Sequence, residues 1–412
     1  MADPGINLAV ISSSLGKFNR NQLVTAVNRG TDFARIVNSW KRRSGEYDFS
    51  NEVMEVMSEC LACKACSSQC PVKVDIANFR SRFLYMYHRR YRRPWKDYCV
   101  ATIESTAPLM AKFPRTVNLL LQNPLAGFMS GKTIGVVDLP ALSYPTLSTL
   151  VKQLELPVFS LEAVSALTDE QKSRTVLFVQ DPFTTCYEAD VVRDLLKFIK
   201  QIGYTPYVLP FKPNGKAQHV RGFLGMFAKT AENTAQFLNS VAALNIPMIG
   251  LDPAMVICYR DEYKKILKDR RGDFKVLLLQ EWLLSVLERV EKPAAQCDHQ
   301  YYLLAHCQEK TFKPSTHNDW VAIFKHFGVS LKPVAVGCCG MAGMYGHEAV
   351  HLESSTRIYR QSFGAAIGKY GIDNCAVTGY SCRSQVKRQE GRKVKHPVQI
   401  LTQWLEKQKT DE

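Results

Sequence analysis

No stretch of this 412-residue chain comes near 18 uninterrupted apolar residues, and the richest, Val276 to Val290, is broken by Gln280, Glu281, Glu288 and Arg289 at helical spacing. A membrane-spanning helix is not expected, and membrane contact would be peripheral at most. Met1 to Lys17 have no basic n-region and no continuous apolar core, so neither a signal peptide nor a transit peptide is read there. The expected location is cytoplasmic, or at the inner face of the membrane. Asn214-Gly215-Lys216 lacks the earlier glycine of a phosphate-binding loop, and no G-x-G-x-x-G follows a predicted strand. With no nucleotide site, hydride chemistry would need a flavin or nicotinamide held elsewhere.

What is present is an ordinary globular composition, 46% hydrophobic and 22% charged, with an unusual excess of cysteine and of positive charge. The formal charge of +15 raises nucleic acid as a partner. No nucleic-acid motif accompanies it, and the densest basic run (His88, Arg89, Arg90, Arg92, Arg93, Lys96, interleaved with Tyr85, Tyr87, Tyr91 and Trp95) lies directly behind a cysteine motif. Nucleic acid is therefore not expected, and the run reads equally as a solvated helix face or as a docking face for an acidic partner. Thirteen cysteines is an odd number and too many for an average cytosolic chain, which favours metal ligation over disulfides.

Residues 1–47 read as a helical, polar lead-in, with Phe33, Ile36, Val37 and Trp40 at helical spacing and Lys41 to Gly45 ending the helix. Ser50 can cap a helix that puts Val53, Val56, Met57 and Cys60 on one face, and a second helix follows Asp75 with Ile76, Phe79, Phe83 and Tyr87 inward. From about Thr175 strands alternate with helices. Thr175–Asp181, Tyr204–Phe211 and Ile246–Asp252 are strands of a first unit, while Tyr301–Cys307, Val329–Val336 and Cys375–Gly379 are strands of a second. In each, a glycine ends the helix and another lies twelve residues on, Gly203 to Gly215 and Gly328 to Gly340. A duplication with a spacing of about 125 residues accounts for this, and duplicated units imply two similar lobes facing one another.

Cys60-Leu61-Ala62-Cys63-Lys64-Ala65-Cys66-Ser67-Ser68-Gln69-Cys70-Pro71 spells C-x2-C-x2-C-x3-C-P, the bacterial ferredoxin run. Two-residue gaps let a tight loop wrap three thiolates around the corners of a cubane while small residues allow close approach. Structural zinc normally joins two knuckles across a dozen or more residues, whereas here four thiols fall within eleven positions. The expected ligands of a 4Fe-4S cluster are Cys60, Cys63, Cys66 and Cys70. Cys70 either closes this cluster or serves another, because the fourth cysteine of such a run can do so and no second run is present.

Val336-Gly337-Cys338-Cys339-Gly340-Met341-Ala342-Gly343 is a glycine-punctuated loop with vicinal cysteines. Cys307 ends one predicted strand and Cys382 follows another, so three strand ends could aim Cys307, Cys338, Cys339 and Cys382 at one point, as ligands of a second cluster or as small packed side chains.

The CCG signature with one cysteine upstream and one downstream resembles the cysteine-rich domain shared by heterodisulfide reductase, the glycolate oxidase iron-sulfur subunit and one of the subunits of anaerobic glycerol-3-phosphate dehydrogenase. GEYDFSNEV, CLACKACSSQCPVKVD, FRSRF, PNGKAQH, GCCGMAGMYGHE and GYSCRSQVKR together look closest to the carboxy-terminal half of the bacterial FAD-linked D-2-hydroxyglutarate dehydrogenase type, over about Gly45 to Pro397. Taken with the spacing above, the resemblance implies an α/β chain: after the helical lead-in (1–47), a helical ferredoxin-like 4Fe-4S domain (48–150), a degenerate first CCG-like lobe (170–295) and a second CCG lobe (298–412). It also implies electrons passing from substrate to FAD, to iron-sulfur, to a quinone or redox-protein acceptor. In such proteins the FAD domain, vanillyl-alcohol-oxidase-like, precedes this region, so FAD would come from a partner or from an N-terminal domain outside this sequence. Two features depart from the family pattern. Pro213-Asn214-Gly215 stands where the first lobe's cysteine pair would be, leaving only Cys258, and Cys382 lacks a C-x-x-C partner. Three function classes compete: this electron-transfer module (or its glycolate or glycerol-3-phosphate counterpart), a non-catalytic iron-sulfur protein, and a zinc hydrolase. The last rests on His347-Glu348-Ala349-Val350-His351, an HExxH match at the expected start of a helix but without a third ligand downstream.

Overall fold

The computed structural model describes residues 32–123, 131–133 and 135–411. The lead-in reading over residues 1–31, and the side chain of Phe33, lie outside the described residues. From Asp32 the order is α1 (Asp32–Arg43), α2 (Phe49–Ser58), α3 (Ala65–Gln69), α4 (Ile76–Arg90), α5 (Trp95–Met110) and α6 (Pro114–Leu121). Then come β1 (Thr175–Phe178), α7 (Ala189–Gln201), β2 (Thr205–Val208), α8 (Lys216–Val220), α9 (Leu224–Ala242), β3 (Met248–Gly250), α10 (Pro253–Arg260), α11 (Glu262–Leu267), β4 (Val276–Leu278) and α12 (Leu279–Val286). The chain continues with β5 (Cys297–Leu304), α13 (Cys307–Phe312), α14 (Thr316–His326), β6 (Val329–Pro333), α15 (Leu352–Tyr359), β7 (Cys375–Val377), α16 (Tyr380–Glu390) and α17 (Pro397–Asp411). The fold is α/β, with two all-parallel sheets in the order β2-β1-β3-β4 and β6-β5-β7.

Both sheets set their first strand between the second and third, so each has a point where successive connections leave in opposite directions, the place where open α/β sheets put their sites. The strands β1, β3 and β7 are short and wholly buried, as parallel strands covered on both faces must be, while β5 and β6 of the second sheet carry exposed residues. Gly203 and Gly328 both follow the ends of helices, at φ 80° and 70°, whereas Gly215 caps the start of α8 at 82° and Gly340 lies within the cysteine loop at 85°. At Gly340 a β-carbon would lie 2.4 Å from the Ser355 carbonyl oxygen, so glycine is required there for space as well as for φ.

Two details differ from expectation. Asp48, two residues before Ser50, caps α2, its carboxylate accepting the Ser50 N–H at 2.8 Å. Val276 to Val290 is not one helix. Its first three residues pair with β3 as edge strand β4, in register Met248↔Val276, and α12 begins only at Leu279. A three-residue buried strand has no room to show a two-residue period, so the helical spacing behind it dominated the pattern.

One apolar core runs through both sheets. Phe198 of α7 meets Phe327 beyond α14 edge-on at 5.4 Å, and Val176, Phe178, Trp282, Leu303, Trp320 and Leu401 are all enclosed in it. A separate small core of Val53, Met57, Ile76, Phe83, Tyr87 and Tyr91 backs the first cysteine motif. Buried histidines load this architecture with a pH dependence. Burial pushes His88 down to about 3 and His219 down to about 4. The unfolded chain therefore takes up protons that the folded chain refuses, so stability is full above about pH 6.5 and declines on acidification. We expect urea unfolding to lose about 1.4 kcal/mol per pH unit for each histidine between about pH 6 and 4, and His88→Leu to make that slope shallower.

Candidate redox site between the cysteine loops

The first loop leaves α2 and reverses through two left-handed residues, Ala62 at φ 49° and Lys64 at φ 63°, before α3. That path turns Cys60, Cys63 and Cys66 towards one another. The amides of Ala62 and Ala65 point at the Cys60 and Cys63 sulfurs, and burial holds both thiols up, Cys63 at about 11. Cys70 stands apart. It caps the end of α3 on the solvent side, and backbone N–H groups of Val74, Val72 and Lys73 hold its thiol below the usual range.

The second group is assembled from three strand ends. Cys307 opens α13 after β5, Cys338 and Cys339 lie in the loop after β6, and Cys382 lies in α16 after β7. The four thiols lie close enough to act on one another, Cys338 with Cys307 and Cys339, and Cys339 with Cys382. The neighbouring Cys307 and Cys339 thiols, with the Gly340 N–H 3.4 Å from its sulfur, hold Cys338 well below the ordinary thiol range. Those two neighbours are pushed up in turn.

The two groups open on one cavity of about 470 Å³, lined by Cys60, Cys63, Cys307, Cys338 and Cys339 with His306 between the last strand ends. Cys63 is near enough to Cys307 and Cys338 for their charges to act on one another. Among the described residues, no three His, Cys, Asp or Glu side chains are closed around a single ion-sized point. An all-thiol donor set spread around a cavity, with amides aimed at the sulfurs, suits a bulky iron-sulfur core better than one tetrahedral ion.

Pro213-Asn214-Gly215, where the first sheet lacks a cysteine pair, has another occupant. The fully buried carboxylate of Glu104, from α5, accepts the N–H groups of Asn214 at 2.6 Å, Gly215 at 2.7 Å and Ala217 at 3.2 Å. Cys258 is buried in the core of the first sheet.

The HExxH match does not lie on a helix. His347 and His351 belong to separate single 3₁₀ turns, and Glu348 between them is extended, at φ −85° and ψ 128°. Tyr345-His351 ring stacking at 4.1 Å and the Val137 carbonyl at 3.3 Å from His347 Nδ1 engage the two imidazoles separately. Glu348 is held by Lys96 and Arg221. Zinc hydrolysis needs a helix-borne pair with a free carboxylate, and these residues do not form one. Glu348→Gln is accordingly expected to lower stability by about 3 kcal/mol in thermal unfolding, and added zinc to confer no peptidase activity on either protein.

The basic run divides between packing and surface. His88 is buried, Arg93 donates to the Arg221 carbonyl and pairs with Asp97 at 3.6 Å, and Lys96 pairs with Glu348, while Arg90 reaches Asp48 at 2.9 Å and Arg92 is exposed. Sequence reasoning missed the residues that join the two cysteine loops. Lys64, 2% exposed inside the first motif, pairs with Glu262 at 3.0 Å, and Glu262 also takes Lys216 at 2.5 Å. Only a lysine between ligand cysteines, and one beside the rejected phosphate loop, marked them in the sequence.

No family model matches the chain. It is 51% identical to the D-2-hydroxyglutarate dehydrogenase of Escherichia coli (strain K12) over 401 residues, 97% of this chain and 39% of that protein. It is 40% identical over 374 residues to the protein of the same name from Pseudomonas putida, covering 91% of this chain and 37% of that one. A more distant likeness, 24% over 249 residues, joins 58% of this chain to 61% of a subunit of the anaerobic glycerol-3-phosphate dehydrogenase of Escherichia coli (strain K12). By sequence, then, nearly the whole chain is similar to D-2-hydroxyglutarate dehydrogenases, of whose length it spans about two fifths.

Proposed function

We propose that this chain is the electron-transfer part of an FAD-linked 2-hydroxyacid dehydrogenase, with D-2-hydroxyglutarate as the substrate acid. The observation that carries the reading is the opening of two thiol groups, one from a ferredoxin-type loop and one from a CCG loop, onto a single cavity. Cys60, Cys63 and Cys66 would hold one 4Fe-4S cluster, with Cys70 as its fourth ligand or as a ligand to another. Cys307, Cys338, Cys339 and Cys382 would hold a second cluster. An iron-sulfur centre so bound carries one electron at a time and performs no hydride transfer.

The protein's own contribution is positional. Strand ends and left-handed turns aim the thiols, burial excludes water, and backbone amides offer hydrogen bonds to sulfur. Hydride removal from the substrate would belong to an FAD-bearing domain or subunit, for which the unmatched three fifths of the relatives leave room. The electrons would leave to a quinone or a redox protein. No described helix is long and apolar enough to cross a membrane. Identity is higher to the D-2-hydroxyglutarate enzymes than to the glycerol-3-phosphate relative, 51% against 24%, which sets the order of the two substrate readings.

The deciding experiment is anaerobic reconstitution followed by iron, sulfide and zinc analysis and EPR of the dithionite-reduced chain. About four irons and four sulfides per occupied site, with a reduced-cubane signal, is the expected result. Zinc without sulfide would overturn it.

A further inference from the structure

The contacts that join the two cysteine loops close on themselves. Gln308, next to Cys307, donates its amide to the Ala62 carbonyl at 2.9 Å, and Ala62 precedes Cys63. The Gln308 carbonyl accepts from Lys216 Nζ at 3.4 Å, and because an ammonium can only donate, this fixes which end of the amide faces Ala62. Lys216 pairs with Glu262 at 2.5 Å, and Glu262 accepts from Lys64 at 3.0 Å. Lys64 follows Cys63, so the ring returns to the thiol's other flank. Its four side chains are buried, and Lys64 is held further by Asp261 and by Asp75 at 3.5 Å.

A buried ionic ring is a poor way to gain stability, because desolvating the charges offsets most of their attraction. Its better-supported use is to specify one arrangement. Two of its members, Lys216 and Glu262, come from the first sheet's unit, which contributes neither thiol. We propose that the Lys64–Glu262–Lys216–Gln308 ring is the positioning device that fixes Cys63 against Cys307. In this view the first sheet's unit serves as the jig that sets the separation of the two redox centres. The inference rests on the electron-transfer reading above for its purpose and on the contacts alone for its existence.

Hydrogen–deuterium exchange of the full, metal-free chain tests the ring without any cluster. In Gln308→Ala, amide exchange is expected to rise about tenfold in both the 60–66 and 307–312 segments, with β1 as in the wild type. Glu262→Gln, entering from the other side, should produce the same paired rise. A change confined to the segment that carries the substitution would overturn the proposal. In the reconstituted protein, Gln308→Ala should keep its iron and sulfide yet lose the magnetic interaction between reduced centres, and an unaltered interaction would count against positioning. A wild-type chain that binds no iron and sulfide would remove the electron-transfer reading while the exchange result still decides the ring.

Discussion

Cys63→Ser should lower bound iron and sulfide by about four atoms each per chain, leave far-ultraviolet circular dichroism unchanged, and abolish the reduced-cubane signal on dithionite reduction. The size of the effect follows from the site's construction. Cys63 lies between the two left-handed residues of the loop, its sulfur meets the Ala65 amide, and it is the first-loop thiol whose field reaches Cys307 and Cys338. Serine keeps the volume, so packing survives, but it supplies an alcohol in place of the soft thiolate that iron and sulfide need. Cys338→Ser should remove a second and separate set of iron, leaving the first-loop signal in place. Retention of the full visible absorption in Cys63→Ser would refute the assignment of the first loop.

Glu104→Gln is expected to be the most damaging substitution away from the thiols, lowering unfolding free energy by about 4 kcal/mol or more in urea titration. Three backbone N–H groups converge on this carboxylate at 2.6 to 3.2 Å in a fully buried position. Hydrogen bonds to a charged acceptor contribute about 1.5–3 kcal/mol each, and a glutamine would turn an N–H₂ towards donors. Burial raises the carboxyl's proton affinity while the amides lower it. The loss should fall on the seam between α5 and the first sheet's unit, so the variant should also exchange amide protons faster over Asn214 to Ala217. A change below about 1 kcal/mol would show that the clasp is incidental.

Much of this arrangement could be read in the residues themselves. The ferredoxin spacing, the CCG loop, the alternation of strands with helices and the four paired glycines are local signals, and the structure has parallel strands and positive φ where they point. What escaped was non-local. The capping role of Asp48 over Ser50 depended on where the chain turned. The strand at Val276 depended on a neighbour, β3, whose Met248 lies opposite it in register. HExxH fails as a pattern because Glu348 is extended between two single 3₁₀ turns, and its partners Lys96 and Arg221 come from segments far away in sequence. Lys64, Lys216, Glu262 and Gln308 are ordinary polar residues in one dimension, and their joint burial exists only after three segments meet.

The core that runs through both sheets limits how this protein could be divided. Phe198 against Phe327 and Trp320 among residues of both sheets mean that a fragment beginning near residue 298 would present bare aromatic faces to water. The CCG half is therefore not a portable cassette, although its sequence motif looks like one. A genetic split or a domain graft would have to pass around the pair of sheets and leave them as one inherited block.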